Sequence, residues 1–134
     1  MTGETNLAAL LRHMTPHLHS ETFVFCTLPP QATLNLTIQP RCTFQETEGT
    51  TLLVTRAEAI AHQWPYTYEC RQITLKIHSS LEAVGFLAAI TTALAAQGIS
   101  VNPVSAYYHD HLFVPVDQAE GAIACLQALI AAQS

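Results

Sequence analysis

Ile73-Thr74-Leu75-Lys76-Ile77, then His78-Ser79-Ser80-Leu81-Glu82-Ala83-Val84-Gly85, then Phe86-Leu87-Ala88-Ala89-Ile90, read in succession, decide the fold. In the first run Ile73, Leu75 and Ile77 alternate with other residues, which predicts a strand near residues 71–77. From Ser80 to Gln97 the period changes to that of a helix, with Ala83, Phe86, Leu87, Ile90 and Leu94 as its apolar stripe. Its other face carries Ala88, Ala89, Thr92, Ala95 and Ala96, small enough for a second element to approach closely. Gly98 ends the helix, as a residue that tolerates positive φ.

Working outward, residues 99–107 and 112–116 read as two strands joined by a short polar turn at His109-Asp110. A last helix over residues 117–131 turns Ala122, Ile123, Leu126, Leu129 and Ile130 inward. The C-terminal half therefore reads β-α-β-β-α. Three tetrads place a capping oxygen three residues ahead of a glutamate: Thr55 to Glu58, Ser79 to Glu82 and Asp117 to Glu120. Each follows a strand-like run, so each predicts a helix start.

The N-terminal half is less regular. Leu7, Leu10, Leu11 and Met14 sit at helical spacing ahead of Pro16, and Phe23-Val24-Phe25-Cys26 reads as a strand closed by Pro29-Pro30. Leu34, Leu36 and Ile38 suggest another extended segment. Residues 42–47 and 50–55 around Glu48-Gly49 form a hairpin pattern, followed by a short helix over residues 56–62. Nothing resembles a flexible linker, and the halves divide as residues 1–68 and 69–134.

Composition narrows the function classes. The 134 residues are 49% hydrophobic and only 11% charged, with 5 Lys+Arg against 10 Asp+Glu. A typical domain carries about a quarter of its residues as charged ones. So apolar a chain is not disordered. A net charge of −5 with Lys76 as its one lysine gives no basic stripe for phosphates, which argues against nucleic acid. The uncharged run at residues 83–96 is broken by Gln97-Gly98 and is too short to span a membrane, which needs about 20 apolar residues. No basic segment precedes an apolar one at the N-terminus, so no secretory signal is read. The sequon Asn35-Leu36-Thr37 therefore has no secretory context, and Cys26, Cys42, Cys70 and Cys125 are expected as reduced thiols in a cytoplasmic protein.

No catalytic signature appears: no glycine-rich phosphate loop, no HExxH and no GxSxG. His109 and His111 form an H-x-H pair, but a zinc site needs a third or fourth ligand, so a polar hairpin turn is the default and no metal is expected. His13, His17 and His19 are read as solvated residues around a helix end. Residues 78–85 are more informative. They bring a strand end, two hydroxyls and unpaired N–H groups to a helix N-terminus, a receptor for a carboxylate or another small anion. Gly85 in the first helical turn costs about 1 kcal/mol against Ala. Either a ligand or another backbone approaches there, or the helix packs tightly on the sheet. Tyr107 and Tyr108 would wall such a pocket or serve as core and rim packing.

The stretches Ser80-Leu81-Glu82-Ala83-Val84-Gly85, Leu94-Ala95-Ala96-Gln97-Gly98-Ile99-Ser100 and Tyr107-Tyr108-His109-Asp110-His111-Leu112-Phe113-Val114 resemble an ACT domain of the type found in aspartate kinases and arginine-sensing proteins. Phe23-Val24-Phe25-Cys26 and residues 44–52 are similar to the leading half of a small bacterial tandem-ACT family, so the likeness covers nearly the whole chain. It implies an α+β, ferredoxin-like β-α-β-β-α-β fold in two tandem repeats with antiparallel sheets and strands exchanged between repeats. Such an exchange would explain the missing last strand of the second half. The likeness places an amino-acid ligand at His78, Ser79, Ser80, Leu81, Glu82, Ala83, Val84 and Gly85, facing a strand at Ile99-Ser100-Val101, with Asp110 meeting an ammonium group. No attached enzyme or DNA-binding domain is recognised, so an output partner would be bound in trans.

The leading expectation is a non-enzymatic small-molecule sensor, without cofactor, acting as a homodimer or higher homo-oligomer. The alternative is a structural or protein-interaction module without a small ligand, with an enzyme third. The shortage of charge is itself read as subunit interface.

Overall fold

The computed structural model describes Gly3, residues 5–30 and residues 37–133. The elements run α1 (Leu7–His13), β1 (Thr15–Leu28), β2 (Cys42–Gln45), β3 (Thr50–Thr55), α2 (Arg56–Ala61), β4 (Thr67–Lys76), α3 (Phe86–Ala96), β5 (Asn102–Ser105), β6 (Asp110–Pro115) and α4 (Ala119–Ala131). A 3-10 turn at Val116–Gln118 leads into α4. The chain divides into two compact units, residues 1–20 with 71–134, and residues 21–70.

In the first unit the strands lie in the order β1-β4-β6-β5, with residues 15–20 of β1 and 71–76 of β4 taking part. Alternation along β4 and β6 sends Ile73, Leu75, Leu112 and Val114 to the face that meets the helices. Leu10 and Leu11 of α1, Phe86, Ile90 and Leu94 of α3, and Ala122 and Leu126 of α4 complete this core. Counted from β4, the unit reads β4-α3-β5-β6-α4 and then β1. The last strand that the C-terminal half lacks is supplied by residues 15–20 of the same chain.

The polar residues of the alternation form a network. Thr74 Oγ1 lies 2.8 Å from His19 Nε2 and 3.0 Å from His111 Nδ1, and it accepts from Gln72 Nε2 at 3.0 Å. The Gln72 amide also reaches His111 Nδ1 at 3.0 Å, while its Oε1 is buried without a partner. Arg71 Nε donates to the His19 carbonyl at 3.0 Å, tying β4 to β1.

The second unit orders its strands β2-β3-β1-β4, using residues 21–28 of β1 and 67–70 of β4. β1 and β3 are antiparallel, pairing Phe23 with Thr55 and Leu28 with Thr50, and β3 pairs antiparallel with β2 from Cys42–Leu53 to Gln45–Thr50. Val24, Cys26, Leu52 and Val54 pack on Ala59 of α2 and on Trp64 and Tyr66. The Thr55–Glu58 capping box is present: Thr55 Oγ1 accepts from Glu58 N at 3.1 Å and Glu58 Oε1 accepts from Thr55 N at 2.8 Å.

The other two tetrads do not cap helices. α3 begins at Phe86 rather than at Ser80, with Gly85 as its N-cap and no side-chain cap. Ser80 instead accepts from the Glu82 N–H at 3.1 Å within the preceding loop, a local bond that competes with helix formation. α4 has Gln118 as N-cap, because the 3-10 turn takes up Asp117. His17 and His19 lie on β1, not around a helix end. Leu34, Leu36 and the sequon residues Asn35 and Leu36 lie outside the described residues, and Ile38 falls in a bend.

Candidate functional site

Between β4 and α3 the chain bends at Ile77, makes an isolated bridge at Ser79 and becomes helical at Phe86. Within this loop Ser79 N–H donates to Ile77 O at 2.9 Å and Ala83 N–H to Ser80 O at 3.0 Å. Gly85 follows at φ 89°, a left-handed conformation that side chains other than glycine adopt at a cost. The loop is backed by Gly3: a Cβ there would lie 2.6 Å from His78 O, Ser79 C and Ser80 N, so only glycine permits the approach.

Opposite the loop stands the β5–β6 hairpin. Its register pairs Ser105 with Asp110, and Ala106 N–H donates to His109 O at 3.0 Å to close the turn. Asp110 is 8% exposed. Its Oδ1 accepts from Ser105 Oγ at 2.5 Å and its Oδ2 from Ser79 Oγ at 3.4 Å. Among the described residues no cation pairs with this carboxylate.

The two segments enclose a cavity of about 180 Å³ lined by Ser79, Ser80, Leu81, Ala83, Phe86, Leu87, Ser105, Ala106 and Asp110. It joins a buried negative charge, several hydroxyls and the uncapped first turn of α3, whose N–H groups favour negative groups. The arrangement suits a small ligand with a cationic group near Asp110.

Of the residues expected from the sequence, Ser79, Ser80, Leu81, Ala83 and Asp110 meet at this cavity. His78, Glu82, Val84 and Gly85 belong to the same loop but do not line it. Ile99, Ser100 and Val101 lie past the C-terminal end of α3; Ile99 lines a different groove of about 560 Å³ with Gln97, Asp117 and Gly121. Phe86, Leu87, Ser105 and Ala106 are lining residues that sequence reasoning did not select. Placing the turn at His109-Asp110 concealed the register that sets Ser105 against Asp110, since the turn actually spans residues 106–109.

Tyr107, Tyr108 and His78 gather outside the cavity. Tyr107 and Tyr108 are 4.9 Å apart edge to face, and His78 lies 5.5 Å from Tyr108 and 6.4 Å from Tyr107. His109 and His111 have ring centroids 6.2 Å apart, and no group of three or more metal-ligating side chains forms among the described residues. No described helix is long and apolar enough to cross a membrane.

Two ACT domain family profiles match, one over residues 2–71 and the other over residues 67–128. Among solved structures, a Vibrio cholerae protein of unknown function, described as a possible transport protein, is 39% identical. It superposes with a TM-score of 0.83 over 92% of this chain and 95% of its own. An Agrobacterium tumefaciens protein is 12% identical with a TM-score of 0.74, covering 87% of this chain and 89% of its own. The regulatory subunit of aspartate kinase from Thermus thermophilus is 9% identical with a TM-score of 0.61, covering 87% of this chain and 97% of its own. No curated protein matches the sequence. With two profile matches that together span most of its length, and the strand order of each unit as described, the chain belongs to the ACT domain family.

Proposed function

We propose that this protein is a non-enzymatic regulatory module that binds an amino acid at the Ser79–Asp110 cavity. The observation that carries the reading is Asp110: a buried carboxylate, held by two hydroxyls, with no cation paired to it among the described residues. A burial of this kind is costly unless the charge is compensated. The ammonium group of an amino acid would supply the compensation, and its carboxylate would fall near the uncapped N-terminus of α3. The likeness to an aspartate kinase regulatory subunit points the same way. Ligand-site residues in the flanking loop, His78, Glu82, Val84 and Gly85, would shape the cavity from outside, whereas Ile99, Ser100 and Val101 lie past the far end of α3 and are left out of this reading.

The module is read as cytoplasmic, as a homo-oligomer, and as acting on a protein partner in trans, with repeats along the sequence at residues 1–68 and 69–134. A screen of the twenty amino acids at millimolar concentration by thermal unfolding tests it. A ligand should raise the melting temperature, because binding to the native state alone stabilises it. The reading fails if none does.

A second reading, a protein-interaction module without a small ligand, is favoured by one feature. Leu81 and Val84 beside the cavity are 67% and 84% exposed. Such side chains suit a partner surface. Retention of a defined partner together with indifference to every amino acid would select it.

A further inference from the structure

We infer that the Ser79–Asp110 cavity takes a small amino acid with an uncharged side chain, and that Phe86, Leu87 and Ala83 set the size limit. This rests on the amino-acid reading above. Three properties of the cavity lead to it.

The first is charge. Among the described residues Asp110 is the one ionisable group in the lining, and no Lys, Arg or His accompanies it. An acidic side chain or a phosphate would set a second negative charge beside a buried carboxylate with nothing to neutralise it. A basic side chain fares no better once the ligand's own ammonium has taken Asp110. Its charge would end among Leu81, Ala83, Phe86, Leu87 and Ala106, with no second carboxylate among the described lining residues.

The second is size. The cavity measures about 180 Å³. Sites for drug-sized ligands measure roughly 300–1,000 Å³, and a cavity of about 150 Å³ holds one benzene ring. The head group and a side chain of the size of alanine, serine, threonine or valine fill it. Tryptophan and arginine exceed this volume and would leave part of the side chain outside it.

The third is the rim. An aromatic clamp would extend the site for a large side chain, but His78, Tyr107 and Tyr108 pack against one another outside the lining. None of the three aromatic rings belongs to the lining.

Isothermal titration of the full chain tests the inference with L-alanine, L-serine, L-threonine, L-valine, L-aspartate, L-glutamate, L-lysine, L-arginine and L-tryptophan. At least one small neutral amino acid should bind ten-fold or more tightly than every charged one and than tryptophan. Asp110→Asn, checked for folding by circular dichroism, should weaken that ligand at least ten-fold. Leu87→Ala should admit L-leucine, and Ala83→Leu should exclude valine while sparing alanine; either shift supports the size limit even where the other variant does not fold. A charged or bulky amino acid that binds as tightly as the small neutral ones overturns the inference and leaves the amino-acid reading intact. Binding that Asp110→Asn leaves unchanged overturns the placement in this cavity. Binding by none of the nine overturns the inference, while the amino-acid reading falls only if the screen of all twenty is also silent.

Discussion

Ser105 and Asp110 face each other across the β5–β6 hairpin, and the Ser105 hydroxyl donates to Asp110 Oδ1 at 2.5 Å. The bond holds a carboxylate that is 8% exposed. Ser105→Ala removes one of its two hydroxyl donors, leaving only Ser79 at 3.4 Å. Stability should fall by about 1–2 kcal/mol, in the range expected for a buried hydrogen bond to a charged group. Urea unfolding of the variant against the wild type measures this.

Gly85 is the N-cap of α3 at φ 89°. A Cβ there would meet only Leu7 Cδ2, at an ordinary 3.5 Å. The penalty for Gly85→Ala is therefore conformational, about 1–2 kcal/mol. Gly85→Asn should cost less, because asparagine tolerates the left-handed region better. Thermal melts of the two variants should rank them in that order; equal losses would contradict a conformational origin.

Gly3 differs in kind, because a Cβ at this position would lie 2.6 Å from backbone atoms of residues 78–80. Backbone cannot swing aside as a flexible side chain does. Gly3→Ala should displace the residue 78–80 loop and lower stability by about 1–3 kcal/mol. Hydrogen exchange should quicken at Ser79, whose N–H bonds Ile77 O, and remain unchanged in β2 and β3.

Cys70 is fully buried and Cys26 is 3% exposed. Burial pushes the Cys70 thiol from 9.0 up to about 12, and raises Cys26 in the same direction. Since thiolate is the reactive form, iodoacetamide at pH 8 should modify the half-buried Cys42 and Cys125 first. Cys26 and Cys70 should react only on unfolding. The same shifts fix a pH dependence. Below pH 9 both states keep these protons and stability is unaffected. As pH rises from 9 toward about 12, the unfolded chain loses protons that the folded one retains, so stability falls. Denaturant midpoints at pH 8 and pH 10.5 should show that loss, and Cys70→Ala should reduce its slope.

Thr74 Oγ1 connects His19, Gln72 and His111. Thr74→Val keeps the shape and deletes the oxygen, so its three side-chain hydrogen bonds are lost at once. The expected loss is about 1–3 kcal/mol.

What the sequence made legible was periodic. Alternation at Ile73 and Leu75 and the stripe Phe86, Ile90 and Leu94 all reappear in one core. The Thr55–Glu58 box formed, with the Thr55 hydroxyl bonded to both the backbone and the carboxylate of Glu58. In the Ser79–Glu82 tetrad the Ser79 hydroxyl donates to Asp110 and Ser80 bonds the Glu82 N–H, so a tetrad of equal promise became loop. Five of the expected site residues reached the cavity because they share one loop or its facing hairpin. Ser105 was hidden by register, and Phe86 because its apolar character suited a core as well as a wall. The length of β1 was also concealed. His17, His19 and Ser20 break the apolar alternation that marks a strand, and their pairing is decided by partners more than 50 residues away, Arg71 and Thr74.

The division of β1 and β4 between the two units bears on how such a protein is inherited. Residues 15–20 complete a repeat encoded mainly after residue 70, and residues 67–70 complete the one before it. A gene cut at the midpoint would yield two fragments, each short of a strand. Duplication or transfer of a single repeat would leave an open sheet edge, a surface prone to aggregation. Recombination should therefore pass the two repeats on as a pair.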